Sequence, residues 1–185
     1  METKRKHTVV MKNPGYTNNK ERKNNYLKEH LEWIKRQLDY ASFSTEYKVR
    51  FDVKKGEIYE IDWGVNVNAE FSNRHFGVVL RDSNEYNPLV LVCPLKTNKT
   101  GAHPESDIDL GLIKELYSDH KTLAIISQIR SVDKMRIYSQ NAISDNDIPE
   151  DKIPVLEEKK VNLIIDAYLN YIYGLSIWFF TKNKR

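Results

Sequence analysis

Basic, imidazole and hydroxyl side chains occur where apolar runs meet loops in the middle of the chain. Arg74 and His75 stand directly before one apolar run, and Lys96 and Thr97 directly follow the next. An imidazole titrates near neutral pH and can take or give a proton, and a guanidinium can bind a phosphate through two parallel hydrogen bonds. The two pairs could therefore hold one phosphate between them if the fold brings them to one rim.

RNA is a substrate that matches this set of groups. It carries its own nucleophile, the 2′-hydroxyl, so cleavage of its backbone requires only a base, an acid and a cation near the phosphate. The structural alternative is that His75 caps a strand end, Arg74 pairs with a surface carboxylate and Lys96 is only solvated. Spacing alone leaves both readings open.

Several other chemistries lack the residues that they need. The histidines are not spaced as zinc ligands, and the single cysteine, Cys93, can form neither a thiolate cluster nor an internal disulfide. No Walker-type phosphate loop, dinucleotide fingerprint or Gly-x-Ser-x-Gly elbow occurs. We therefore expect acid–base chemistry without a cofactor or metal, or binding alone. Cys93 lies in an apolar run and is expected in the core.

The middle of the chain has the period-two pattern of β-strands. Short runs rich in Val, Ile and Leu, bounded by turn residues, predict strands at 56–63, 76–81, 89–95, 122–129 and 136–138. Short strands joined by turns favour a compact, strongly curved sheet or small barrel. The interval 98–121 is predicted to be a long connection, and Ser131–Lys134 a turn.

A helical pattern precedes the strands. An apolar stripe with spacings of four, three and four consists of Leu27, Leu31, Ile34 and Leu38. This stripe predicts a helix over residues 24–40 that either docks on the core or pairs with another helix. We expect Trp33, Tyr40 and Tyr26 to widen the same face.

A second helix is predicted near the end of the chain, with Gly174 as its stop. The aromatic segment 175–180 should pack on the sheet or across a subunit boundary, because an exposed apolar segment favours aggregation. These patterns divide the chain into a basic extension (1–50), a barrel (51–145) and a helix with an aromatic tail (146–185).

The basic residues are concentrated at the start of the chain. Residues 1–50 contain 12 Lys or Arg against 6 Asp or Glu, although the net charge of the whole chain is only +3. Such an arm often binds polyanions, and a solvated, partly disordered arm is the alternative. The lysine-rich start lacks the apolar segment of a signal peptide, and no run is long enough to span a membrane. We therefore expect a cytoplasmic protein without membrane contact.

One segment resembles a known family. Residues 127–136, Ser-Gln-Ile-Arg-Ser-Val-Asp-Lys-Met-Arg, match the Gln-Ile-Arg-x-x-Asp-Lys-x-Arg motif of the MazF/PemK (Kid-like) toxins of toxin–antitoxin pairs. The strands at 56–63 and after His75, and the stretch 84–95, are also similar, so the resemblance covers roughly residues 54–143. It implies a mainly β (α+β) fold, namely an SH3-like curved-sheet barrel with a C-terminal helix. The N-terminal helical extension is an addition in this chain.

The same resemblance implies a function. Members of this family are homodimeric growth inhibitors that cleave single-stranded mRNA at short motifs without metal, and a cognate antitoxin inhibits them. The family's catalytic arginine directly precedes the second strand, a place held here by His75, with Arg74 one residue earlier. The family's hydroxyl residue aligns with Lys96, with Thr97 one residue later. We therefore take Arg74, His75, Thr97 and Lys96 as candidate catalytic residues. The candidate RNA-binding residues are Gln128, Arg130, Arg81 and His103.

Three readings remain open at this point. In the first, His75 activates the 2′-hydroxyl or protonates the leaving 5′ oxygen, Arg74 stabilises the phosphate charge, and Thr97 or Lys96 assists. In the second, the barrel is non-catalytic and binds nucleic acid or a protein partner. In the third, the helix at 24–40 covers the cleft and regulates the enzyme.

Overall fold

A computed structural model describes residues 20–46, 51–66, 70–99, 101–113, 115–116, 119–138 and 153–174. Two helices, α1 (Lys20–Glu46) and α2 (Glu158–Ile172), flank an antiparallel sheet. Its strands are β1 (Ile58–Asp62), β2 (Arg74–Val79), β3 (Leu89–Thr97), β4 (Asp107–Leu112), β5 (Lys121–Ile125), β6 (Arg130–Asp133) and β7 (Ile137–Tyr138). The predicted mainly β (α+β) architecture, with a helix at each end, is confirmed. Neither helix is long and apolar enough to cross a membrane in the part of the chain described.

The sheet curls around β3. Its strand order is β4-β5-β3-β2-β1-β7, and β6 pairs with the first half of β3. The nine residues of β3 therefore have three partners in turn: β6, then β2, then β5. Within the described residues no ladder joins β6 to β7, so the sheet is strongly curved but is not a closed barrel.

Side-chain alternation gives the sheet two apolar faces. The face covered by α2, called the α2 face here, contains Ile58, Val78, Cys93 and Leu95, which cluster with Val161 and Ile164 of the helix. The opposite face, called the Trp63 face, contains Ile61, Trp63, Val79, Val92 and Val132. Cys93 is fully buried as predicted, and burial raises the pKa of its thiol. The thiol is therefore a core group without access to solvent.

The indole of Trp63 needs a glycine opposite it. A Cβ atom on Gly77 of β2 would lie 2.7 Å from Cδ1 of Ile61 and 3.0 Å from Cζ2 of Trp63. Any larger residue in this position would push the indole away, because such contacts are shorter than packed atoms allow. The small residue in β2 therefore fixes where the Trp63 ring sits.

Lys134 is buried and holds loops together. Only 1% of its surface is exposed, and its ammonium donates to the carbonyls of Phe51 and Asn84, both at 2.7 Å, and of Ser83 at 3.4 Å. Burial lowers the pKa of the amine, because it disfavours the charged form. The lysine of the Asp-Lys-x-Arg motif thus has a structural role in this chain.

Two of the predicted connections are wrong. The interval 98–121 contains β4, whose Ile108 and Leu110 are buried on the α2 face while Asp109 is exposed. Residues 131–133 are not a turn but part of β6, because they continue the ladder with β3. The predicted strand at 122–129 ends at Ile125 and continues as a 3-10 turn.

The predicted apolar face of α1 does not dock on the core. Of the helix side chains described, only Trp33 is buried, whereas Leu31 and Leu38 are 67% and 66% exposed. Trp33 and Tyr40 do not widen the leucine stripe, because the helical period places them on the other side of the helix. The helix also begins earlier than residue 24.

The end of α2 agrees with the sequence. Gly174 follows the helix with a φ of +68°, a conformation that favours glycine. Both alternatives for the basic arm, polyanion binding or partial disorder, lie outside the described residues over 1–19, as does the predicted packing of the aromatic segment 175–180.

Candidate functional site

Arg74 and His75 are the first two residues of β2, not part of the preceding loop. The ladder with β1 pairs Arg74 with Asp62 and His75 with Ile61. The loop prediction is therefore wrong, because β1 extends far enough to pair with both polar residues. Successive side chains of a strand point to opposite faces. His75 consequently belongs to the Trp63 face, and Arg74 to the α2 face.

Lys96 and Thr97 are likewise the last two residues of β3, where they pair with Leu123 and Thr122 of β5. The β2–β3 ladder ends with Gly77 opposite Pro94. If its register is continued by two and three residues, His75 falls across from Lys96, and Arg74 falls across from Thr97. Alternation therefore separates the four candidate catalytic residues into two pairs on opposite faces of the sheet.

His75 belongs to a cluster of aromatic rings. Its imidazole centre lies 4.7 Å from the ring of Phe71, which meets the Trp63 indole edge-on at 5.4 Å. The indole Nε1 donates a hydrogen bond to the His75 carbonyl at 3.1 Å. Burial lowers the pKa of His75, with Glu60 opposing this effect. The imidazole is therefore neutral at pH 7 and able to accept a proton.

Gln128 and Arg130 are attached to the same aromatic residues. Arg130 donates to the Trp63 carbonyl at 2.8 Å, and its guanidinium carbon lies 5.1 Å from the centre of the indole ring. Gln128 accepts a hydrogen bond from the Phe71 N–H at 3.4 Å. The fold therefore joins three predicted site residues, His75, Gln128 and Arg130, through Trp63 and Phe71.

Trp63 and Phe71 were not predicted as site residues. The alternation of Tyr59, Ile61 and Trp63 indicated only that the indole shares an apolar strand face. Phe71 is an isolated aromatic residue in a polar loop. This isolation was the one feature of the sequence that indicated a specific contact for its side chain.

Lys96 is engaged by a carboxylate. Its ammonium lies 3.1 Å from Oδ2 of Asp107, a side chain that is 2% exposed. The same oxygen accepts the His103 N–H at 2.9 Å. Burial acts to raise the pKa of Asp107, but hydrogen bonds from His103, Lys96 and Ser106 outweigh it and lower the pKa. Lys96 is thus a fixed cation whose charge is largely balanced.

His103 takes part in this turn mainly through its backbone, and its Nδ1 accepts the Glu105 N–H at 3.4 Å. Arg81 lies beyond the other end of β2, and its separation of six residues from His75 corresponds to about 20 Å along an extended chain. The structure does not bring Arg81 to the His75 cluster.

The Arg74 side of the sheet is where α1 docks. Asp62, with 0% exposure, accepts hydrogen bonds from Nε of Arg36 at 3.0 Å and from the Tyr40 hydroxyl at 3.2 Å. Its other oxygen accepts the Gly64 N–H at 3.1 Å. Burial raises the pKa of Tyr40 to about 12, with Asp62 acting in the same direction and Arg36 and Arg74 opposing it. Arg74 therefore lies close to the docked face of α1.

Trp33 completes this contact. Gly64 has a φ of +87°, and a Cβ on it would lie 2.7 Å from Cζ2 of Trp33. The guanidinium carbon of Arg136 lies 5.1 Å from the centre of the Trp33 ring. Three side chains of α1, spaced three and four residues apart, thus hold the helix on the sheet.

The groups available for chemistry are an imidazole, a guanidinium and an ammonium. Among the residues that the structure describes, no three His, Cys, Asp or Glu side chains are grouped to bind a metal ion.

The chain is similar to two solved structures and to one family model. A MazF protein of Deinococcus radiodurans has 14% identity and a TM-score of 0.45, over 68% of this chain and 99% of its own. An endoribonuclease in complex with its cognate antitoxin, from a mycobacterial species, has 16% identity and a TM-score of 0.41, over 66% and 96%. No curated protein matches the chain. The model of the PemK-like, MazF-like toxins matches residues 54–159. Because this match spans more than half of the 185 residues, the chain belongs to the PemK-like, MazF-like toxins of type II toxin–antitoxin systems.

Proposed function

We propose that this toxin is an endoribonuclease that cleaves single-stranded mRNA through attack of a 2′-hydroxyl on the adjacent phosphorus, without metal. The observation that carries the proposal is the environment of His75. His75 is exposed and its imidazole, whose pKa is lowered, packs on Phe71. Phe71 is hydrogen-bonded to Gln128 and meets Trp63, the residue that holds Arg130. A neutral base near a fixed guanidinium is what 2′-hydroxyl attack requires.

The steps follow from these groups. Neutral His75 takes the proton of the 2′-hydroxyl, and the oxygen forms a bond to phosphorus. Arg130, already held by Trp63, stabilises the negative charge that develops on the phosphoryl oxygens. The bond to the 5′ oxygen breaks as that oxygen receives a proton from protonated His75 or from solvent. The products are a 2′,3′-cyclic phosphate and a 5′-hydroxyl.

Lys96 has a supporting role in this proposal. Alternation places it on the same face as His75, so its ammonium adds positive potential near the phosphate. Asp107 balances much of that charge at 3.1 Å, and Lys96 therefore positions RNA more than it stabilises the transition state. Phe71, which is half-buried, offers an aromatic ring on which an unpaired base can stack.

The alternative is a barrel that binds RNA, DNA or a protein partner without cleaving. Two observations favour it: the cation Lys96 is bound to Asp107, and Arg74 belongs to the face on which α1 docks. An inactive toxin would still bind RNA with strong salt dependence. Binding alone therefore does not distinguish the two functions.

The proposal includes the family's partners. We expect a homodimer, a cognate antitoxin that inhibits it, and a cytoplasmic location where mRNA is available. A small neighbouring reading frame that encodes an acidic and apolar tail would support the antitoxin.

The test is cleavage of single-stranded RNA by the purified chain, in a chelator and with added magnesium, followed by identification of the new ends. We expect equal rates in both conditions and 2′,3′-cyclic phosphate ends. Arg81→Ala, distant from His75, is the matched control and should cleave like the wild type. RNA that stays intact in both conditions, although it binds, would establish the non-catalytic alternative.

A further inference from the structure

Helix α1 has two distinct faces. Trp33, Arg36 and Tyr40 contact the sheet around Asp62 and Gly64. At 100° per residue the leucine stripe is centred on the opposite side of the helix. Its members, here called the α1 seam, are Leu27 (50% exposed), Leu31 (67%), Ile34 (47%) and Leu38 (66%).

The spacing of the seam is that of a coiled coil. Steps of four, three and four residues correspond to alternating d and a positions of a heptad, with Leu31 and Leu38 at a and Leu27 and Ile34 at d. This row is narrower than the broad apolar face with which a helix lies on a globular core or a membrane. Trp33, the residue best suited to a membrane interface, is already buried against the sheet. The seam therefore fits another helix.

The residues beside the seam select the partner. In the same heptad, Lys28 and Lys35 occupy e positions, while the g positions hold His30 and Gln37. The acidic residues of this stretch lie away from the seam, at b and f positions: Glu29, Glu32 and Asp39. An antiparallel pair of α1 helices would place lysines against lysines, and a parallel pair would place Lys35 against His30, with no carboxylate opposite either lysine. A second copy of the chain is thus a poor occupant.

We propose that the α1 seam is a docking surface for an acidic amphipathic helix of a partner protein. Leucines of the partner would fill the a and d layers, and its carboxylates would pair with Lys28 and Lys35. Because the seam faces away from Asp62, α1 stays on the sheet when the partner binds. The proposal is independent of RNA cleavage and holds for an active or an inactive toxin.

The experiment titrates the full chain with two synthetic four-heptad peptides by calorimetry. Both carry Leu at a and d; one has Glu and the other Lys at e and g. We expect the acidic peptide to bind at least about tenfold more tightly, a difference of roughly 1.4 kcal/mol. The double variant Leu31→Asn, Ile34→Asn should lose this binding. The double variant Lys28→Glu, Lys35→Glu should instead bind the basic peptide more tightly. A surface that binds apolar helices without charge selection would not show this reversal.

Three results would overturn the proposal. The first is no binding, or equal binding of both peptides. The second is self-association of the free chain in sedimentation that disappears in the Leu31→Asn, Ile34→Asn variant, because the seam would then belong to a second copy. The third is sedimentation of the chain with phosphatidylglycerol vesicles that depends on the seam, without peptide binding. Helical circular dichroism of each variant must equal that of the wild type for the comparison to be valid.

Discussion

Arg74 and His75 are consecutive residues of β2 whose side chains belong to opposite faces of the sheet. Arg74 pairs in register with Asp62 and lies close to Tyr40 of α1, whereas His75 lies 4.7 Å from Phe71 in the cluster around Trp63. Either residue can align with the family's catalytic arginine, but as neighbours in an extended strand their side chains leave the sheet on opposite faces. The geometry favours His75, because Gln128 and Arg130 are on its side.

The pH dependence of cleavage should report His75. Burial lowers the pKa of its imidazole below the ordinary value of 6.5. A neutral base is present above that pKa and is lost as the pH falls through it. The acidic limb of kcat/KM should therefore have its midpoint below 6.5, and it should be absent from the residual activity of His75→Gln. A midpoint above 6.5 would mean that another group supplies the base.

Gly64→Ala should release α1 from the sheet. The new methyl group would clash with Trp33 and would also strain a backbone with a φ of +87°. Gly101→Ala is the matched control, because Gly101 has a φ of +91° but no atom within 4 Å of its added Cβ. We expect faster hydrogen exchange across α1 in the first variant only.

RNA cleavage by the Gly64→Ala variant tests whether α1 is a regulatory cover. We expect its rate to stay within about threefold of the wild type, because the side chains that dock α1 contact Asp62, Gly64 and Arg136 rather than His75. A large increase would instead support the hypothesis that α1 shields the reacting groups.

Tyr40 should make the docking of α1 sensitive to alkali. Its pKa is raised to about 12 from 10.0, so the docked helix keeps the proton that an undocked Tyr40 loses first. This contribution is complete below pH 10 and is lost as the pH rises from 10 to about 12. Subtracting the tyrosinate titration of Tyr40→Phe from that of the wild type should leave one tyrosine with a midpoint near 12. A difference curve centred near 10 would contradict the burial of Tyr40 beside Asp62.

Lys134→Met should destabilise the fold without touching the candidate site. The change leaves three carbonyls, those of Phe51, Ser83 and Asn84, without the ammonium that they share. Loss of such buried partners should lower the free energy of unfolding by about 3 kcal/mol in urea denaturation. Lys54→Met, which removes an exposed ion pair with Asp52, is the control and should cost less than about 1 kcal/mol. Equal effects of the two changes would remove the structural role of Lys134.

The sequence predicted the family and the architecture better than it predicted the site. The motif from Gln128 to Arg136 is local and specific, and it identified the family although its lysine is structural here. β4 was missed because Asp107 and Asp109 are poor strand formers. In the structure the ladder with β5 includes both, with Asp109 exposed and Asp107 paired with Lys96. The leucine stripe correctly predicted that α1 is a helix. The side of the helix that docks is set by contacts with Asp62 and Gly64 of the sheet, which the stripe does not reveal.

The separation of Arg74 from His75 also required the structure. A sequence shows that two residues are adjacent, but not whether the neighbouring strand extends far enough to pair with them. Asp62, the last residue of β1, pairs with Arg74, and this pairing makes Arg74 and His75 part of β2. The length of β1 therefore determines that their side chains alternate. The ion pair of Lys96 with Asp107 also required the structure. Lys96 belongs to β3, whereas Asp107 belongs to β4, which the sequence predicted to be part of a long connection.

The most direct test compares cleavage of one single-stranded RNA by His75→Ala and Arg74→Ala, each measured as kcat/KM beside the wild type. We predict that His75→Ala lowers the rate by about 10²- to 10⁴-fold, as expected for loss of a proton-transferring group, and that Arg74→Ala lowers it less than about tenfold. The opposite order, with Arg74→Ala inactive and His75→Ala close to the wild type, would contradict the assignment of the reaction to the Trp63 face.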